Sequence, residues 1–167
     1  MVRIITGTTI LRIRKLITFG TLSLLLYACD PHMVYDTWNT IPDNSWNKDS
    51  VTVFNPNILD TINPVNIVIG VRNTNDYPYS NLWLFVTTKT PSGMSLKDTF
   101  EVVLASSYGK WYGSGWGNTY TSLHYYQRNV ILNESGEYTI SLQHGMRKDN
   151  LEGINAVGLR IEEVQSE

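Results

Sequence analysis

Val65-Asn66-Ile67-Val68-Ile69-Gly70-Val71-Arg72 sets Val65, Ile67, Ile69 and Val71 on one side of an extended chain. An alternation of period two is what a half-buried β-strand requires, because successive side chains point to opposite faces of a sheet. The same rule recurs outward from this stretch. Residues 95–104 set Leu96, Phe100, Val102 and Leu104 against Lys97, Thr99 and Glu101, and residues 138–142 and 157–162 alternate likewise. Residues 82–88 begin apolar on both faces, which suits a central strand covered on both sides. Shorter candidates at 34–38, 50–54 and 129–132 bring the expected total to about eight strands.

Turn chemistry separates these runs. Pro91-Ser92-Gly93 reads as a hairpin loop and Glu134-Ser135-Gly136 precedes the strand that follows it, while residues 146–154 are expected to hold a short helical turn. Val, Ile, Thr, Tyr and Trp are abundant, and no long helical period, repeat or heptad is present. The expected fold is all-β: a single antiparallel β-sandwich, jelly-roll or Ig-like.

The N-terminal part has a different grammar. Arg12, Arg14 and Lys15 precede an apolar run over 16–28 that ends in Leu24-Leu25-Leu26-Tyr27-Ala28-Cys29. A basic region, about 7 to 15 apolar residues and a small residue at the cut make an export signal. A cysteine directly after that small residue is the lipid carrier of a bacterial lipoprotein signal, so Cys29 is the expected lipidation site. The run is interrupted by Gly20, Thr21 and Ser23 and falls short of the ~20 residues a spanning helix needs. Cys29 is the only cysteine, so no disulfide forms within the chain, and acylation accounts for the thiol. The expected organisation is a cleaved lipoprotein signal peptide at 1–28, a lipid-proximal linker at 29–38 and the sandwich at 39–167.

Cleavage changes the charge. Arg3, Arg12, Arg14 and Lys15 leave with the signal and no acidic residue does, so 9 of the 13 basic residues face all 15 acidic ones, a formal charge of −6. That balance disfavours nucleic acid and attraction to anionic lipid. Membrane attachment is expected to rest on the lipid.

No catalytic set emerges from the residues. His32, His124 and His144 lie far apart without the spacing of a zinc site, so no metal is expected. A nucleophile elbow is absent, Gly113-Ser114-Gly115-Trp116-Gly117 being the nearest imitation. The chain is not expected to be an enzyme or to hold a cofactor. Residues 109–120 stand out instead, since four aromatics alternate with four glycines. Glycine permits close backbone approach and aromatic rings give flat contact area. Trp111, Tyr112, Trp116 and Tyr120 are the candidate binding residues, for a sugar or another protein's strand. The alternative is that this loop folds back over one end of the sandwich.

Several segments carry a resemblance. Cys29-Asp30 is followed by Val34-Tyr35-Asp36, then by Asp60-Thr61-Ile62-Asn63-Pro64 and by Arg72-Asn73-Thr74-Asn75-Asp76-Tyr77-Pro78-Tyr79-Ser80-Asn81-Leu82. Glu134-Ser135-Gly136-Glu137-Tyr138, His144-Gly145-Met146-Arg147 and Val157-Gly158-Leu159-Arg160-Ile161-Glu162 come later. Together they resemble the gliding motility lipoprotein GldH family of Bacteroidetes, over nearly all of the chain after the signal. The resemblance implies a cell-envelope lipoprotein, palmitate or a similar acyl chain on Cys29, and a non-enzymatic component or assembly factor of the gliding machinery that is tied to type IX secretion. It implies other gliding motility or secretion proteins as partners, with no small-molecule substrate, and leaves open which membrane holds the anchor and whether the domain faces the periplasm or the outside. The other function consistent with the residues is an envelope carbohydrate- or peptide-binding β-sandwich module.

Overall fold

The computed structural model describes residues 32–164, so the signal segment and Cys29 lie outside the described residues. The strands are β1 (Met33–Thr40), β2 (Ser45–Asn47), β3 (Thr52–Phe54), β4 (Asn57–Ile58), β5 (Val65–Thr74) and β6 (Asn81–Lys89), then β7 (Ser95–Val103), β8 (Thr119–Val130), β9 (Gly136–Glu137), β10 (Thr139–His144), β11 (Asn150–Glu152) and β12 (Ile154–Glu163). One sheet has the order β1-β12-β5-β8 and the other β3-β10-β6-β7, with two small ribbons, β11-β2 and β4-β9. Every pairing is antiparallel. This interleaving, in which the long strands alternate between the two sheets except at the β6–β7 hairpin, is the jelly-roll order. It decides between the two sandwich types left open by the sequence.

The alternation read from the sequence builds the core. Val65, Ile67, Ile69 and Val71 of β5 are buried, and so are Leu82, Leu84 and Val86 of β6 and Val157, Leu159 and Ile161 of β12, all in one apolar cluster. Each such side chain contributes roughly 1.5–3 kcal/mol on burial. The β6–β7 hairpin closes as expected through Pro91-Ser92-Gly93. Thr90 N–H donates to Met94 O at 2.9 Å and Gly93 N–H to Thr90 O at 2.9 Å, with Gly93 at φ +93°. That is the three-residue turn with a bulge glycine in the left-handed region.

Four local expectations are corrected. Residues 33–38, assigned to the linker, belong to β1, as the short strand candidate at 34–38 anticipates, and its register against β12 lets Arg160 donate to Asp36 Oδ2 at 2.7 and 3.1 Å. The helical turn expected within 146–154 is absent, because Leu151 is buried and pairs with Trp46 in the β11-β2 ribbon while Gly153 turns the chain at φ +83°. Of the strand expected at 129–132, Asn129 and Val130 are the end of the much longer β8 and Ile131 and Leu132 lie beyond it. The outer face of β6 is also more open than a doubly covered strand, leaving Trp83 partly exposed.

Candidate functional site

The connection between β7 and β8 contains the aromatic and glycine-rich stretch. Its first part is a tight turn: Ser106 N–H donates to Lys110 O at 2.8 Å, Gly109 N–H to Ser106 O at 2.9 Å, and Gly109 takes φ +77°. Tyr108, which the sequence reading did not single out, stands 96% exposed on this turn. Its place on a turn closed by a left-handed glycine is the signal that points to it.

Trp111 faces the body of the domain. Its Nε1–H donates to Asn75 Oδ1 at 3.0 Å, and its ring packs 6.4 Å from Tyr77 and 5.9 Å from Tyr120. Tyr77 is itself buried and donates its hydroxyl to Asn81 O at 2.7 Å, and burial, with Tyr79 nearby, raises its pKa above the ordinary phenol range. Asn75 and Tyr77 come from the polar segment between β5 and β6, which thereby seats the loop. Thr74 N–H, at the end of β5, donates to Gly153 O and Asn75 N–H to Asn118 O, tying the start of this segment to the turn between β11 and β12 and to the loop's end. A depression of about 400 Å³ lies beside this seat, bounded by Tyr79, Ser106 and Trp111 among others.

The second part of the loop runs along the start of β8. Ser114 and Thr121 exchange backbone hydrogen bonds at 3.0 and 2.8 Å. Glycines on either side permit this approach: a Cβ at Gly113 would sit 2.8 Å from Thr121 O, and one at Gly115 would overlap the Thr119 carbonyl. Trp116, 94% exposed, and Tyr112, 63% exposed, point away from the body, whereas Tyr120 lies in β8 beside Trp111. The four candidate rings therefore divide into an anchoring pair, Trp111 and Tyr120, and a solvent-facing pair, Tyr112 and Trp116.

A polar group that the sequence reading missed sits where β7 and β8 face each other at the sandwich edge. His124 Nε2 and Ser122 Oγ are 2.8 Å apart, and Tyr126 donates its hydroxyl to Asp98 Oδ2 at 3.3 Å while its ring meets Phe100 edge-on at 5.4 Å. Burial lowers the pKa of His124, and burial followed by the Asp98 charge pushes the Tyr126 phenol up to about 12. Ser122 is buried, and no carboxylate among the described residues is hydrogen-bonded to His124. His144 is buried edge-on against Trp46 at 5.5 Å, and burial lowers its pKa too. Among the described residues no group of three or more His, Cys, Asp and Glu is placed to hold a metal ion.

The fold and this loop define a jelly-roll β-sandwich with an aromatic, solvent-facing connection at one end. A profile of the GldH lipoprotein family matches residues 33–161, and the chain belongs to that family. It is 39% identical over 146 residues to a gliding motility lipoprotein GldH homolog of Christiangramia forsetii, covering 83% of this chain and 89% of the relative. The gliding motility lipoprotein GldH of Flavobacterium johnsoniae is 34% identical over 148 residues, covering 84% and 91%. Among solved structures, a family 16 carbohydrate-binding module aligns over 77% of this chain and 85% of its own, at 8% identity and a TM-score of 0.28. A likeness at that score carries no argument about function.

Proposed function

We propose that this protein is a lipid-anchored cell-envelope component of the gliding motility apparatus, a non-enzymatic part or assembly factor whose work is linked to type IX secretion. The observation that carries this reading is family membership over residues 33–161, with relatives named as gliding motility lipoproteins. The signal pattern ending at Ala28-Cys29 supports attachment through an acyl chain on Cys29, and several acyl chains give firm anchoring where one does not. In this reading Tyr112 and Trp116 form part of the contact with a partner protein, since rigid aromatic rings give large contact area at small entropic cost.

The test is deletion of the gene in its own host, scored together for colony spreading and for secretion of type IX cargo. Wild-type and Cys29→Ser chains are returned separately. A loss restored only by the wild-type chain is expected; full restoration by Cys29→Ser, or no defect in either assay, overturns the proposal.

A further inference from the structure

Among the described residues strand β7 ends its sheet and pairs with β6 alone, through nine consecutive registered residues from Ser95 to Val103 without a bulge or a proline. The other sheet edges among the described residues are shorter or interrupted by register shifts. β3 is three residues long, and Asn39 of β1 donates its side-chain N–H to Val53 O at 3.1 Å, tying these two edges together. The pairing of β8 with β5 is broken by bulges, and the start of β8 is taken by Ser114. A long, flat, exposed edge strand is a template for another strand.

The direction of its backbone groups follows from the hairpin. Thr90 N–H bonds Met94 O, so the alternate pairs Thr88↔Leu96, Val86↔Asp98, Leu84↔Phe100 and Leu82↔Val102 are the hydrogen-bonded ones. The N–H and C=O groups of Ser95, Lys97, Thr99, Glu101 and Val103 therefore face outward. Thr99 N–H bears this out, donating to Asp98 Oδ1 at 2.7 Å and not to β6.

We propose that β7 pairs with β7 of a second copy of this chain, antiparallel about a twofold axis at Thr99. Charge complementarity selects this occupant and this register. Thr99 faces Thr99, and Lys97 of each copy faces Glu101 of the other on the outer face, giving two opposite-charge cross-strand pairs and a central Thr–Thr pair, all favourable neighbours. On the inner face Leu96, 62% exposed, lies opposite Val102 of the other copy, which its own core already buries, and Asp98 lies opposite Phe100. About ten backbone hydrogen bonds form, and the central one replaces the Asp98 cap on Thr99 N–H. The result is one continuous eight-stranded sheet across two sandwiches. Nine strand residues make a small contact compared with the ~1,000 Å² of a stable interface, so the association is transient and covalent trapping is the suitable readout.

The test uses the full chain in its host membranes carrying Thr99→Cys. Paired residues in hydrogen-bonded register lie about 5.5 Å apart at Cα, within the disulfide range of about 4.4–6.8 Å. Mild oxidation is expected to give a disulfide dimer, with the unsubstituted chain reporting any background from Cys29 and Tyr108→Cys reporting collision. Adding Lys97→Glu places Glu opposite Glu twice and is expected to lower the dimer yield about fivefold. Lys97→Glu with Glu101→Lys restores the pairing with its charges exchanged, and the yield recovers. Protease resistance of each variant checks that the exposed substitutions leave the fold intact. A Thr99→Cys yield no greater than that of Tyr108→Cys overturns the proposal, and so does a charge exchange that fails to recover what Lys97→Glu loses.

Discussion

The indole of Trp38 lies flat on Gly158, close enough that a Cβ there would sit 2.6 Å from Trp38 Cδ2. Gly70, paired with Gly158 across β12 and β5, makes room for the other end of the ring, and the Arg72 guanidinium stacks 4.8 Å from its centroid. Two neighbouring glycines lower the outer surface of the sheet by the height of a side chain, and one indole fills the hollow.

Gly158→Ala must therefore lift the indole or push β1 away from β12. Overpacking of this kind costs about 1–3 kcal/mol, to be measured by denaturant unfolding. The same change made on top of Trp38→Ala meets open space and is expected to cost well under 1 kcal/mol beyond Trp38→Ala itself. Equal costs in the two backgrounds would mean that the ring does not rest there.

The two tryptophans of the loop should separate stability from recognition. Trp111 loses its bond to Asn75 and its contact with Tyr77 when replaced by Ala, and a cost of about 1–3 kcal/mol is expected for a partly buried ring. Trp116→Ala touches little and should stay within about 0.5 kcal/mol of the parent, while weakening capture of a partner in the envelope. Thermal melts of both variants check the first contrast, and partner recovery from the host checks the second.

What the sequence reveals follows burial. β5 is legible because its inward positions Val65, Ile67, Ile69 and Val71 are apolar and meet an equally apolar β6. β8 is not, because the sandwich is open at that edge: the inward positions are Ser122, His124 and Tyr126, while the outward Leu123 and Tyr125 are exposed. Its pattern is inverted, so only its last residues, Asn129 and Val130, fall in a stretch that reads as a strand. The loop is visible as a cluster of aromatics and glycines, but which ring points inward depends on Asn75 and Tyr77, from a segment distant in sequence. That β7 is an edge depends on the order of the whole sheet and has no signature within the strand.

Acid should weaken the folded domain from near neutrality downward. Burial lowers the pKa of both His124 and His144, so as pH falls the unfolded chain takes up these protons first, at about 6.5. Stability is then present above that value and lost progressively below it. Denaturant midpoints measured from pH 7.5 to 5 should decline, and His124→Gln should make the decline shallower. An unchanged slope in that variant would mean that its imidazole is as free to protonate in the fold as in the unfolded chain.

Tyr126 gives the opposite sign at the alkaline end. Its phenol is pushed up to about 12 by burial and then by Asp98, whose Oδ2 lies 3.3 Å away. The unfolded tyrosine ionises at about 10, so the contribution of this group is complete below that pH and is lost as pH rises through about 12. Asp98→Asn removes the charge and leaves the burial. The phenol should then titrate lower than in the parent but still above the ordinary tyrosine, as read from the ultraviolet difference between each chain and its Tyr126→Phe counterpart. Because Asp98 also caps Thr99 N–H on β7, an unshifted curve would show that this carboxylate does not bridge the two edge strands in solution.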